Sequence, residues 1–257
     1  MTDGVADVRL TRPEKLNALD PAMFAALVDT GRRLASDPSL RAVVLSGEGR
    51  GFCAGLDFAS FMALGADGSG FGVLANRDGA VNHAQHAAWI WTEVPVPVIA
   101  AVHGVAYGGG LQIALAADLR FVAPDARLSV MEIRWGLIPD MSGTQTLRHL
   151  VRLDVAKELT FTGRVVSGQE AAALGLATRV EENPREAALA VAREIATRSP
   201  SAIRAAKRLL TATVVGSRDD GFRLEERIQR ELIGSPNQLE AVQANFEKRA
   251  PRFADPE

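Results

Sequence analysis

The chain has 257 residues, 47% of them hydrophobic and 23% charged, with a formal net charge of −2. Those values suit one large globular domain, or a domain with an appendage, and give no overall bias toward nucleic acid or an anionic membrane. A single cysteine, Cys53, excludes an intrachain disulfide; the N-terminus lacks a signal-peptide pattern and no apolar run reaches the roughly 18 residues of a spanning helix, so a cytoplasmic location is expected.

Val5–Leu10 reads as a first strand. Asp20 followed by Pro21 is a helix start, a capping oxygen before a proline at the first helical position. Met23, Phe24, Leu27, Val28 and Leu34 give that helix its apolar stripe, and Asp37-Pro38 ends it. Arg41–Ser46 is the next strand, followed by a glycine-rich loop and a short helix after Gly55. Gly65–Gly79 has no hydrophobic period and reads as a flexible surface loop; Ala80–Glu93 resumes as helix until Pro95 and Pro97.

Val98–Val102 is a short apolar strand, Gly104 and Gly108–Gly110 form a turn, and Leu111–Ala117 is a helix of small apolar residues. Strands at Leu119–Ala123 and Ala126–Val130, a turn at Pro139–Ser142, and helices at Gly143–Val151 and Val155–Thr162 follow. Ser167 and Glu170 have the spacing of a capping box before Ala171–Leu174, and Thr178–Val180 is a short strand. From Pro184 onward the pattern is helical, punctuated by Pro200, Gly216 and Pro236.

Ala42–Phe58 and Val98–Asp118 are both strand, glycine turn, helix start. Two such turns facing one pocket would each offer a backbone N–H to the same oxygen, which suits a carbonyl that becomes an enolate or a tetrahedral anion. Neither stretch is a dinucleotide fingerprint or a phosphate loop. His83 and His86 have metal-pair spacing without a third ligand, so no metal is expected. His103 sits beside the glycine turn. Cys53 reads as a buried small side chain, and Trp89, Trp91 and Trp135 as packing residues. Arg204, Lys207 and Arg208 read as a solvated basic helix face.

Six ordered stretches, TRPEKLNALD (Thr11–Asp20), GFCAGLDF (Gly51–Phe58), VHGVAYGGGLQIALAAD (Val102–Asp118), MEIRWGLIPDMSGTQTL (Met131–Leu147), FTGRVVSGQEAAALGLATRV (Phe161–Val180) and FEKRAPRF (Phe246–Phe253), resemble the crotonase, or enoyl-CoA hydratase/isomerase, family. The resemblance implies an α/β fold, a spiral of ββα units over residues 1–195 that holds an acyl-CoA pocket, with a helical oligomerisation module over 196–257. It implies a homotrimer or hexamer and no cofactor beyond the coenzyme A of the substrate; the net charge of −2, the lack of an aromatic-basic patch and the lack of a spanning apolar run point to no nucleic-acid or membrane partner.

Residue by residue, the resemblance puts the oxyanion-hole donors at the backbone N–H groups of Leu56 and Gly109. It assigns the catalytic carboxylates to Glu132 and Asp140, the latter at the position of an aspartate in dienoyl isomerases and dehalogenases. Asp140 read by itself is an ordinary turn residue after a proline. Substrate contacts are implied for Lys15, Leu16, Ala18, Ala54, Asp57, Gln112, Phe246 and Lys248, with Asp57 also read as a helix cap. The family's hydratases use two glutamates, and one of those positions is Gln112 here, an amide that cannot accept or hold a proton. Double-bond isomerisation, or a related proton transfer by Glu132, is therefore expected over plain hydration. The competing readings are a non-catalytic acyl-CoA binder and an ordinary hydratase using Glu132 with Asp140.

Overall fold

The computed structural model describes residues 1–64 and 77–256. Most of the expected loop at 65–79 lies outside those residues.

The main sheet has strands β1 (Val5–Leu10), β2 (Ala42–Gly47), β5 (Val98–Val102), β7 (Leu119–Val122) and β10 (Arg179–Val180), side by side in that order and all parallel. Its central strands are continuous apolar runs because both faces are covered. Val43, Leu45, Val98 and Ala100 face the larger core, while Ala42, Val44, Ile99 and Ala101 face the opposite layer. That second layer is helix α8 (Pro184–Ala196), which presents Ala188 and Ala192 to the sheet.

A smaller sheet of β6 (Val105–Tyr107), β8 (Arg127–Ser129) and β9 (Val166–Ser167) lies beside the first. β6 occupies what the sequence reads as part of a glycine turn; it is three residues long and paired parallel to β8. The chain thus gives one strand to each sheet before a helix, as in β5, β6 and α4 (Gly109–Leu115), which is the ββα spiral.

Helix α1 (Pro21–Ala35) starts where expected: Asp20 Oδ1 accepts the Met23 N–H at 2.8 Å. It packs on α3 (His83–Glu93), with Gly31 against Ile90. Helix α3 begins at His83 rather than Ala80. Arg77–Asp78 (β3) and Val81–Asn82 (β4) form a short hairpin, and Asn82 closes a capping box with Gln85. The short helix after Gly55 is α2 (Phe58–Leu64). Downstream of β8, a 3-10 turn at Glu132–Trp135 leads to α5 (Gly143–Leu150) and α6 (Leu153–Thr162).

Helix α7 (Gly168–Leu174) has half of the expected capping box: Ser167 Oγ accepts the Glu170 N–H, but the Glu170 carboxylate pairs with Arg164. The charge of the guanidinium outweighs a neutral backbone donor.

Helices α9 (Pro200–Thr213), α10 (Arg218–Leu232) and α11 (Pro236–Phe246) complete the chain. The basic face of α9 is not solvated. Lys207 is 8% exposed and donates to the Trp91 and Val96 carbonyls and to Asp118 at 2.7 Å. Arg204 donates to the carbonyls of Asp37, Pro38 and Leu40. Only Arg208 stays on the surface, paired with Glu231. Among the described residues, no helix is long and apolar enough to cross a membrane.

Candidate active site

The two glycine turns meet. Phe52–Ala54 runs beside β6: the Phe52 and Cys53 N–H groups donate to the His103 and Val105 carbonyls, and the Tyr107 N–H donates to the Cys53 carbonyl. Gly55 then turns with φ +88°, where a Cβ would stand 2.7 Å from the Tyr107 carbonyl oxygen and 3.7 Å from the Gly109 nitrogen. Only glycine fits so close an approach in that conformation.

Leu56 follows Gly55, and Gly109 opens α4. Among the described residues neither the Leu56 nor the Gly109 N–H donates to a protein acceptor. The first N–H groups of a helix have no partner within it, which accounts for Gly109. Both residues line a pocket of about 840 Å³, counting its open mouth.

The opposite wall is the Met131–Met141 stretch, which brings Glu132 and Asp140 into the same pocket. Glu132 is 8% exposed. Burial pushes its carboxyl above the ordinary value; its own backbone and Gln112 oppose that shift by hydrogen bonding, and the Asp140 charge adds to it. Asp140 is open to water, yet the apolar lining desolvates its carboxyl enough to push it up as well. Gly108, at φ +51°, lets the chain pass against Glu132, whose Oε1 would lie 3.2 Å from a Cβ there.

Gln112 does not face the pocket. It is 2% exposed, and its Oε1 accepts the Met141 and Gly143 N–H groups at 2.8 and 2.9 Å. Those two donors leave only the amide NH2 for Glu132, and Nε2 donates to Glu132 Oε1 at 2.6 Å. Among the described residues Glu132 Oε2 has no hydrogen-bond partner, and it is buried. Such an oxygen costs about 1–3 kcal/mol and is a natural proton acceptor.

Ala54 lines the pocket. Asp57 turns away from it: Asp57 is buried, accepts from Arg12 at 3.0 Å and caps α2 through the Ser60 N–H. Its burial opposes ionisation, but the Arg12 and Ser60 hydrogen bonds hold its carboxyl below the usual range. Lys15, Leu16 and Ala18 lie outside the pocket lining, on the segment bound to its Ala54–Asp57 side. Phe246 and Lys248 lie at the end of α11, also outside it. Arg249 is engaged by Glu240 and Glu247.

Cys53 is fully buried, and burial pushes its thiol up to about 12, which removes it as a nucleophile. His103 contacts the Gly49 carbonyl, and His86 contacts Glu93. Among the described residues no group of three or more His, Cys, Asp or Glu could hold a metal ion.

Much of the apolar lining is not evident from the sequence. Phe58 and Trp135 pack with ring centroids 4.3 Å apart, and Phe24 and Phe61 meet edge to face at 5.9 Å. Trp135 is therefore a pocket residue rather than core packing. Tyr107, the chain's one tyrosine, also lines this cavity. A signal was available in Phe58 and Phe61, aromatics three apart on a short helix beside the glycine turn.

A family model described as enoyl-CoA hydratase/isomerase matches residues 1–256. Mouse methylglutaconyl-CoA hydratase, mitochondrial, is 34% identical over 97% of this chain and 79% of its own length. The bovine enoyl-CoA hydratase domain-containing protein 2, mitochondrial, is 33% identical over 97% and 84%. The crystal structure of enoyl-CoA hydratase from Bacillus anthracis superposes with a TM-score of 0.90 at 31% identity, covering 98% of this chain and 96% of that one. That of enoyl-CoA hydratase from Mycobacterium tuberculosis H37Rv superposes with a TM-score of 0.88 at 30% identity, covering 100% and 97%. With the pocket, the fold and these likenesses in agreement, the chain belongs to the enoyl-CoA hydratase/isomerase family, the crotonases, and is an enzyme of that family.

Proposed function

We propose that this enzyme binds an acyl-CoA thioester with its carbonyl oxygen between the Leu56 and Gly109 N–H groups, and moves a proton along the acyl chain with Glu132. The observation that carries the reading is the buried, unpartnered Glu132 Oε2 in the same pocket as two unpaired main-chain donors. Glu132 Oε2 takes a proton from the α or γ carbon. The C–H electron pair moves toward the thioester oxygen as an enolate, and each N–H donor stabilises that oxygen by about 3 kcal/mol. Returning the proton to the other carbon shifts the double bond, with no cofactor beyond the coenzyme A of the substrate.

Isomerisation or a related proton transfer is favoured over hydration because Gln112 touches Glu132 directly at 2.6 Å. That distance leaves no space between the two side chains for the water a second acid–base group would hold. Hydration with Asp140 as partner is the second reading, supported by the presence of both carboxylates in one lining and by the hydratase names of the relatives. Lys15, Leu16 and Ala18 would hold the nucleotide end, and residues 196–257 would form the contacts of a trimer or hexamer. Exposed Leu210, Val215, Phe222 and Phe246 on α9–α11 and the turns beside them support that assembly.

The test is hydrogen exchange and turnover in heavy water with a panel of 2-enoyl- and 3-enoyl-CoA thioesters. Exchange at the α carbon and interconversion of the two enoyl isomers, both lost in Glu132→Gln, are expected. Rapid hydration of crotonyl-CoA without isomer interconversion would replace this reading with the second.

A further inference from the structure

The peptide groups around Leu56 are tied down on both sides. The Ala54 N–H donates to the Leu16 carbonyl at 2.9 Å, the Leu19 N–H to the Gly55 carbonyl at 2.8 Å, and the Asp57 N–H to the Leu19 carbonyl at 2.9 Å. This is a short parallel ladder in which Leu19 pairs with Leu56. In such a pairing the residue opposite gives its own N–H and C=O to the far side. The ladder therefore turns the Leu56 N–H away from the 16–19 segment.

That segment is itself held under strain. Leu16 and Asn17 have φ +50° and +56°, a conformation non-glycine residues adopt at a cost. Asn17, with no exposed surface, compensates: its Oδ1 accepts the Arg12 N–H at 2.8 Å, and its Nδ2 donates to the Glu48 and Gly51 carbonyls at 2.9 Å. The Arg12 side chain then spans the ladder. One guanidinium nitrogen reaches the Ala18 carbonyl and lies 3.3 Å from Asp20; the other donates to Asp57 Oδ2 at 3.0 Å.

We propose that Arg12 is a positioning residue for the Leu56 amide, acting through Asp57, the residue that follows it. This rests on the acyl-thioester reading above. Arg12 does not itself line the pocket. Its effect is geometric: without it, the Gly55–Leu56 peptide, which carries the Leu56 N–H, keeps its bond to Leu19 but loses the clamp at Asp57 that fixes the tilt of the segment. Donors displaced by an ångström or less lose much of their effect on a reacting oxygen.

The experiment reads the thioester carbonyl itself. Butanoyl-CoA labelled at the carbonyl is bound to wild type, Arg12→Gln and Asp57→Asn, and the carbonyl stretch is measured by isotope-edited infrared spectroscopy beside steady-state kinetics. Wild type should lower the carbonyl frequency on binding. Both variants should bind the thioester yet lose most of that shift, with kcat down about 10- to 100-fold and KM within a few-fold. Arg12→Lys should recover part of the shift, and the double variant should be no worse than the worse single one. Asp57→Asn, nearly isosteric, serves if Arg12→Gln fails to fold. A full wild-type shift and kcat in both variants would overturn the role of Arg12 alone. Wild type that binds butanoyl-CoA with no shift would overturn the thioester reading and this role with it.

Discussion

Gln112 Nε2 donates to Glu132 Oε1 at 2.6 Å, while two main-chain N–H groups hold the other end of the same amide. The amide is held at three points, so it fixes one oxygen of the carboxylate and leaves the second available. A glutamine serves here because it must accept at one end and donate at the other.

Glu132→Gln tests the base directly. It replaces one planar group by another of the same size, so the fold should persist by circular dichroism. The rate of proton transfer should fall by roughly 10²–10⁴-fold, the range general-base catalysis supplies. Retention of most of the activity would assign the base elsewhere.

Gln112→Glu should be harmful for a different reason. Its carboxylate can still accept from Met141 and Gly143, but its outer oxygen would meet Glu132 Oε1 with no proton to donate. Like charges at that distance cannot both ionise, so one carboxyl is pushed further up. The acid limb of the pH–rate profile should move to higher pH than in wild type. A profile that does not move would mean that the two side chains separate when both are charged.

The raised carboxyls also set a sign for stability. Glu132 has its folded value above the ordinary 4.5 first because of burial, and Asp140 above 3.8 first because the apolar lining desolvates it. What they contribute to folding is complete below those ordinary values and is lost as pH rises through the raised folded values. Removing the Glu132 charge removes that loss. The Tm of Glu132→Gln should match wild type in acid and exceed it near neutrality, a comparison that differential scanning calorimetry makes directly.

Acyl size should respond to the aromatic wall. Phe61 meets Phe24 edge to face within the pocket lining. Phe61→Ala should shift kcat/KM toward longer acyl chains by about tenfold or more, since a methylene's worth of pocket space is worth that much in discrimination. Competition between short and long thioesters measures the ratio.

Lys207→Met tests the attachment of α9. It removes a cation whose side chain is 8% exposed and leaves the Trp91 and Val96 carbonyls without this donor, while Asp118, which is exposed, keeps the Val98 N–H. Losing these hydrogen bonds costs about 1–3 kcal/mol. For a chain of this size that lowers the Tm by roughly 2–12 °C. A thermal shift of a degree or less would show that the helix is held by packing alone.

Local chemistry wrote much of this molecule into the sequence. The Asp20-Pro21 helix start, the apolar runs of β1, β2 and β5, and the glycines at 55 and 108 depend on near neighbours and can be read in order. The ordered motifs pointed to the family, and Glu132 and Asp140 both line one pocket. What only the tertiary structure decided are the partners that come from far along the chain. Gln112 turns its back on the cavity because its acceptors and donors sit at 132, 141 and 143. Asp57 points inward because Arg12 is there, and Lys207 leaves the solvent because Asp118 and two carbonyls wait beneath α9. Side-chain direction at such positions is set by hydrogen bonds between segments that spacing along the chain does not connect, and a buried polar atom goes where its partner is.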